Sequence, residues 1–134
     1  MRHKNVLLID DDPIFNIITR KTLEKIGFAE KIITMTSGTS ALKYLTGLQQ
    51  VPEQVPDVIF LDIRMPGMSG FDFLEEYDKL PGMIKDKPWI LILSSSENME
   101  DIARANSNPY VYKFITKPLE ERQIKGIEFN PRVK

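Results

Sequence analysis

Aspartates close two separate apolar runs in this chain. Val6-Leu7-Leu8-Ile9 leads into Asp10-Asp11-Asp12, and Val58-Ile59-Phe60-Leu61 leads into Asp62. A third run, Trp89 to Leu93, ends in Ser94-Ser95-Ser96, and a fourth, Val111 to Ile115, ends in Thr116-Lys117-Pro118. Short apolar runs bounded by polar residues read as buried parallel strands. In an open α/β sheet, the carboxyl ends of such strands are where ligands bind. The acids of two strands would then crowd one sheet edge and repel one another unless a cation joined them, and an all-oxygen donor set suits magnesium. Hydroxyls and an ammonium at the same edge complete a site fit for handling phosphate.

For these residues to meet, strands and helices must alternate, and the periodicity does alternate. Lys4–Ile9 reads as a first strand. Asp12-Pro13 supplies an N-cap and a first-turn proline for a helix running to about Ile26, where Gly27 ends it. Ile14, Phe15, Ile17, Ile18, Leu23 and Ile26 are expected to form its broad inner face. Lys31–Thr36 reads as a second strand and Ser37–Leu48 as a helix, with Ala41, Leu42, Leu45 and Leu48 inward. Gln49–Pro56 and Leu80–Lys87 read as loops on their prolines and polar residues. Between them lie a third strand, Val58–Leu61, a loop to Gly70, and a helix over about Phe71–Lys79. A fourth strand over Pro88–Leu93, a short helix over Met99–Ala105, a turn at Asn106–Pro109 and the fifth strand follow. A last helix is expected from Leu119, fading near Ile127. Such alternation implies a parallel sheet with helices on both faces and right-handed crossovers.

Composition narrows the function classes. With 134 residues the chain is expected to be one domain, and the short tail Glu128–Lys134 leaves no room for an effector module. A net charge of −1 argues against bulk attraction to nucleic acid or anionic membrane, and no basic face or helix-turn-helix pattern is present. There is no cysteine, which removes disulfides, thiolate zinc sites and cysteine nucleophiles. No apolar stretch approaches the roughly 18–20 residues of a membrane span. His3, the one histidine, reads as an exposed polar residue near a frayed terminus. Asp12 reads as a helix cap, and Met65, Met68 and Trp89 read as packing.

Four motifs in order carry a resemblance: Leu8-Ile9-Asp10-Asp11-Asp12-Pro13, Leu61-Asp62-Ile63-Arg64-Met65-Pro66-Gly67-Met68-Ser69-Gly70, Leu93-Ser94-Ser95-Ser96 and Phe114-Ile115-Thr116-Lys117-Pro118. From about residue 4 to 128 the chain resembles a response-regulator receiver domain of two-component signalling, the CheY-like group. The resemblance implies a flavodoxin-like, doubly wound, five-stranded parallel sheet in order 2-1-3-4-5. It implies a phospho-accepting switch rather than a true enzyme, taking a phosphoryl group from a histidine kinase or histidine phosphotransfer protein. Asp62 would be the acceptor. Asp11 would bind magnesium directly, Asp10 through water, and Arg64 by its backbone carbonyl. Ser94 would be the switch hydroxyl (Ser95 if the register slips by one), Lys117 the pocket lysine before a cis Pro118, and Phe114 the aromatic switch residue. The output would be a protein contact on the face built from the last two helices and the last strand. The partner would be a downstream protein, the state a monomer or phosphorylation-dependent dimer, and the compartment a bacterial cytoplasm.

The chain departs from the usual pattern in several places, one being a serine at the switch position in place of the commoner threonine. Arg64 sets a long cation two residues after Asp62, the helix before the last strand is short and ends in Asn106-Ser107-Asn108-Pro109, and the last helix contains Gly126. Two rival readings accompany the first. One is a receiver-like interaction module that signals without phosphorylation. The other is a haloacid-dehalogenase-type magnesium phosphatase using Asp10, Asp12, Ser94 and Lys117, which would leave the Asp62 motif without a use.

Overall fold

The computed structural model describes residues 3–129; Met1, Arg2 and residues 130–134, most of the expected tail, lie outside the described residues. Five strands pair in parallel: β1 (His3–Ile9), β2 (Ala29–Met35), β3 (Val58–Leu61), β4 (Trp89–Ser94) and β5 (Val111–Thr116). Their order is β2-β1-β3-β4-β5. Successive side chains leave a strand on opposite faces, so both faces of the central strands must be apolar. Leu7, Ile9, Ile59, Leu61, Ile90 and Ile92 fill one face, and Val6, Leu8, Val58, Phe60, Leu91 and Leu93 the other. That two-sided burial explains why the runs are continuous rather than alternating.

The helices cover both faces. α2 (Gly38–Thr46), α3 (Gly70–Tyr77), α4 (Gly82–Lys85) and α5 (Met99–Ser107) contribute Ala41, Leu45, Phe73, Leu74, Tyr77, Ile84 and Ala105 to the first core. α1 (Pro13–Lys25) and α6 (Glu121–Lys125) contribute Leu23 and Ile124 to the second. Start signals are explicit. Asp12 accepts from the Ile14 and Phe15 amides at 3.0 and 3.3 Å, and Ser69 and Asp72 form a reciprocal capping box at the start of α3. Among the described residues no helix is long and apolar enough to cross a membrane.

Several expectations need correction. The inner face of α1 is only partly the expected one: Leu23 is buried and Phe15 and Ile26 pack on the second core, but Asn16 and Thr19 are buried with them, while Ile14, Ile17 and Ile18 are 67%, 52% and 52% exposed. Asn16 goes inward because its amide spans two strand ends, donating to the Asp10 and Met35 carbonyls at 3.0 and 3.4 Å. β2 begins at Ala29, which is buried and pairs with His3. His3 itself is half-buried, its ring packed on Phe28 and Phe129 with centroids 4.7 and 4.8 Å away. The stretch expected to be a loop over Leu80–Lys87 holds α4, anchored by buried Ile84 and by Tyr77, whose hydroxyl donates to the Lys85 carbonyl at 2.8 Å. A 3-10 turn, Pro52–Gln54, interrupts the other expected loop, and α6 starts two residues later than expected and stops at Lys125.

Candidate functional site

Register brings the acids together. Ile9 lies opposite Leu61 in the β1–β3 pair, so Asp10 and Asp62 emerge side by side, at the point where the strand order reverses. Both are buried, whereas Asp11 is exposed at the rim. Carboxylate oxygens of all three lie within 4.8 Å of one another. Three hard oxygen donors that close are the donor set magnesium favours, so these residues fit that ion.

Lys117 follows β5 and reaches across the β4 end. Its ammonium is 2.7 Å from Asp10 Oδ2 and 3.5 Å from Asp62 Oδ2, and sits over the Phe15 ring, 4.1 Å from its centroid. The resting ion pair is thus with Asp10, and Phe15 from α1 closes its apolar side. The other oxygen of each buried acid is held locally. Asp10 Oδ1 accepts from the Asp12 amide at 2.9 Å, and Asp62 Oδ1 from the Arg64 amide at 3.2 Å. One oxygen per carboxylate therefore remains turned to the pocket. Burial pushes the Asp62 carboxyl above the usual carboxylate range; Lys117 pulls it back, the Asp10 charge raises it further, and the Arg64 amide lowers it.

Ser94, the last residue of β4, is fully buried opposite Thr116, whereas Ser95 is exposed. Ser94 Oγ accepts from the Ser96 amide at 3.1 Å, the same two-residue turn that holds the two acids. Phe114 is half-buried in β5 opposite Ile92 and packs on the first core. Arg64 contributes its amide to Asp62, but its side chain leaves the pocket for Asp101 on α5. The Lys117-Pro118 bond is cis. Asp12 Oδ1 caps α1, as expected of that residue.

The structure adds residues that the sequence did not single out. Asn16 and Phe15 line the pocket from α1, and Asp101 and Ser96 flank it from α5 and the segment before it. Asn16 carried a faint signal, a polar residue between apolar ones. Asp101 carried none, because only the fold sets it beside Arg64.

Comparison with known proteins agrees with this geometry. Residues 6–127 match the response regulator receiver domain, and the chain belongs to that family. A two-component response regulator from Cytophaga hutchinsonii superposes with a TM-score of 0.86 at 30% identity, covering 93% of each chain. A probable methanogenesis regulatory protein from Methanothrix harundinacea is 28% identical over 90% of this chain and 76% of its own length. The rice two-component response regulator ORR1 is 29% identical over 91% of this chain, which spans about half, 52%, of that relative. As the family implies, the chain is a phospho-accepting type of module and not an enzyme of the usual kind. Its relatives come from archaea and plants as well as bacteria, so a bacterial source does not follow.

Proposed function

We propose that this chain accepts a phosphoryl group on Asp62 from a histidine kinase or histidine phosphotransfer protein and thereby switches a protein-contact surface. The observation that carries the reading is the meeting of Asp10, Asp11 and Asp62 with the Lys117 ammonium at one sheet edge. Asp62 Oδ2 is the nucleophile, because Oδ1 is engaged by the Arg64 amide. It bonds to phosphorus as the donor's nitrogen–phosphorus bond breaks, and the electron pair of that bond goes to the imidazole nitrogen, which takes up a proton. Asp10, Asp11, Asp62 and the Arg64 carbonyl would hold magnesium, which supplies positive charge for the phosphoryl oxygens.

Lys117 then turns from Asp10 towards the new charge, and Ser94 donates its hydroxyl proton to a phosphoryl oxygen. Moving Ser94 gives up its bond from the Ser96 amide and opens room for Phe114 to turn inward. The surface of α5, β5 and α6 changes in consequence. The exposed isoleucines of α1, immediately after the acids, support a macromolecular donor that docks an apolar helix face beside the pocket. We place the reaction in the cytoplasm, with a monomer or a phosphorylation-dependent dimer as the output state.

The test is incubation with magnesium and a small acyl phosphate, followed by intact mass of wild type and Asp62→Asn. One phosphoryl adduct that needs magnesium and is lost in the variant is expected. A folded protein that takes no adduct would instead favour a module working without phosphorylation. An adduct that persists in Asp62→Asn and disappears in Asp10→Asn would point back to the phosphatase reading.

A further inference from the structure

A chain of contacts runs from the acceptor to the switch hydroxyl. From Asp62 it passes through the Arg64 amide to the Arg64 guanidinium, which pairs with Asp101 Oδ2. The same Asp101 oxygen accepts from Ser96 Oγ at 2.8 Å, and the Ser96 amide returns to Ser94 Oγ. Ser96 Oγ also accepts from the Asn98 amide at 3.2 Å, and Asn98 caps α5 through the Glu100 and Asp101 amides. Acceptor, switch hydroxyl and the first turn of α5 are thus joined through one carboxylate. The two ends of the ion pair differ in freedom: the Arg64 side chain is 62% exposed and the Asp101 side chain only 17%. Arg64 can leave, whereas Asp101 is held by Ser96.

Resting on the Asp62 phosphorylation proposed above, we propose that Asp101 is a positioning residue that parks Arg64 on α5, and that phosphorylation hands the guanidinium over to the phosphoryl group. A phosphoryl group brings about −1.5 to −2 charge and three acceptor oxygens, against a single carboxylate charge on Asp101, and guanidinium binds such groups bidentately. Ser94 turning towards phosphate withdraws the Ser96 amide's acceptor, which disturbs the Ser96 bond to Asp101 at the same moment. Both events free the first turn of α5. Over the phosphoryl group, Arg64 shades phosphorus from water. Hydrolysis needs a water oxygen to bond to phosphorus while the bond to Asp62 breaks; the electron pair returns to the carboxylate and a water proton is released. The contest between Asp101 and phosphate for Arg64 therefore sets the phosphoryl lifetime.

The experiment compares wild type, Asp101→Asn, Arg64→Ala and the double variant, each phosphorylated with a small acyl phosphate and magnesium, then freed of donor and followed by intact mass. Asparagine keeps the size of Asp101 and an acceptor for Ser96 while removing the charge. Asp101→Asn is expected to lengthen the adduct's half-life about two- to five-fold, the range of a partly exposed ion pair. That lengthening should vanish in the Arg64→Ala background. A half-life that is unchanged or shortened, or lengthened equally without Arg64, overturns the proposal. Amide exchange of unphosphorylated protein tests the parked state alone. The Ile102 amide, bonded to the Asn98 carbonyl at 3.1 Å, should exchange about two- to five-fold faster in Asp101→Asn, and equal exchange overturns it. Absence of any wild-type adduct would strike the phosphorylation reading instead, leaving the exchange result to judge the ion pair.

Discussion

Gly70 sets how closely α3 can approach the acceptor strand, and adding one methyl there should separate close packing from backbone freedom. A Cβ at Gly70 would lie 2.6 Å from the Asp62 carbonyl oxygen, 2.7 Å from Ile63 Cα and 2.9 Å from Ile63 Cγ2. Two of those atoms are backbone, so no rotamer relieves the clash and α3 must retreat from β3. Overpacking of this kind costs about 1–3 kcal/mol, and replacing glycine with alanine returns about 0.4–1 kcal/mol through the unfolded chain. A net loss of about 1.3 kcal/mol is expected for Gly70→Ala. With a urea slope of about 2 kcal/mol per molar, the midpoint should fall by about 0.6 M with an unchanged slope. Two controls bracket it. At Gly38 the new Cβ meets Met68 Sδ at 2.8 Å, the end of a flexible side chain, so Gly38→Ala should stay within about 1 kcal/mol of wild type. At Gly67 the space is open but φ is +78°, so Gly67→Ala should cost about 1–2 kcal/mol from conformation alone. Because the Asp62 carbonyl is what Gly70→Ala displaces, that variant should also take up phosphoryl from an acyl phosphate more slowly than the other two. Urea titration of the three variants decides the matter. If Gly70→Ala is no less stable than Gly38→Ala, the argument from close approach is wrong.

Three further outcomes follow from burial. Thr19 Oγ1 is buried without a hydrogen-bond partner among the described residues, so Thr19→Val should stabilise the fold by about 1 kcal/mol in urea; a loss would mean that a bound water satisfies the hydroxyl. Asn16→Leu should cost about 1–3 kcal/mol by stranding the Asp10 carbonyl (the Met35 carbonyl keeps the Asp10 amide at 3.1 Å), whereas Ile17→Ser should change stability by no more than about 0.5 kcal/mol; the reverse ranking would restore the isoleucines as the inner face. Burial against Phe28 and Phe129 lowers the His3 pKa, with Asp57 opposing and the N-terminal amine adding to the fall. Its stability contribution is therefore full above the unfolded value of 6.5 and is lost as pH falls from there towards the lower folded value. Wild type should lose more stability than His3→Phe between pH 7.5 and pH 5, and parallel losses would refute this.

The strands were legible because two-sided burial leaves a plain mark: β3 is apolar throughout and is followed by Asp62, and β4 is apolar until it ends in Ser94. Strand order came from the family resemblance, and the sheet has that order. α1 was misread for a physical reason. Leu23, Phe15 and Ile26 do face inward as expected, but the apolar residues lie all round the helix, and Ile14, Ile17 and Ile18 turn outward while Asn16 and Thr19 are buried. Hydrophobicity favoured the isoleucines, but the Asp10 carbonyl beneath α1 needs a donor, and Asn16 supplies it. A polar residue can belong to the inner face when the surface beneath it is backbone. α4 escaped notice because Pro81-Gly82 reads as a break and its four residues bury one side chain, too little for a periodic signal.

The site divides along the same line. The placement of Asp10, Asp62, Ser94 and Lys117 was legible because each ends or directly follows a strand, and strand ends converge by topology alone. Where their charges lie was not readable. Lys117 rests 2.7 Å from Asp10 and 3.5 Å from Asp62, so the ammonium leans away from the residue proposed to be modified. Arg64 likewise faces Asp101, on a helix 37 residues further along the chain. Both cations are thus committed elsewhere before any phosphoryl group arrives, while Asp62, its carboxyl raised by burial, keeps only an amide and a long contact to Lys117. A new charge on Asp62 would draw on both cations at once. Each would have to leave a carboxylate on a different element, Asp10 after β1 and Asp101 in α5, so one local charge would be felt on both sides of the pocket.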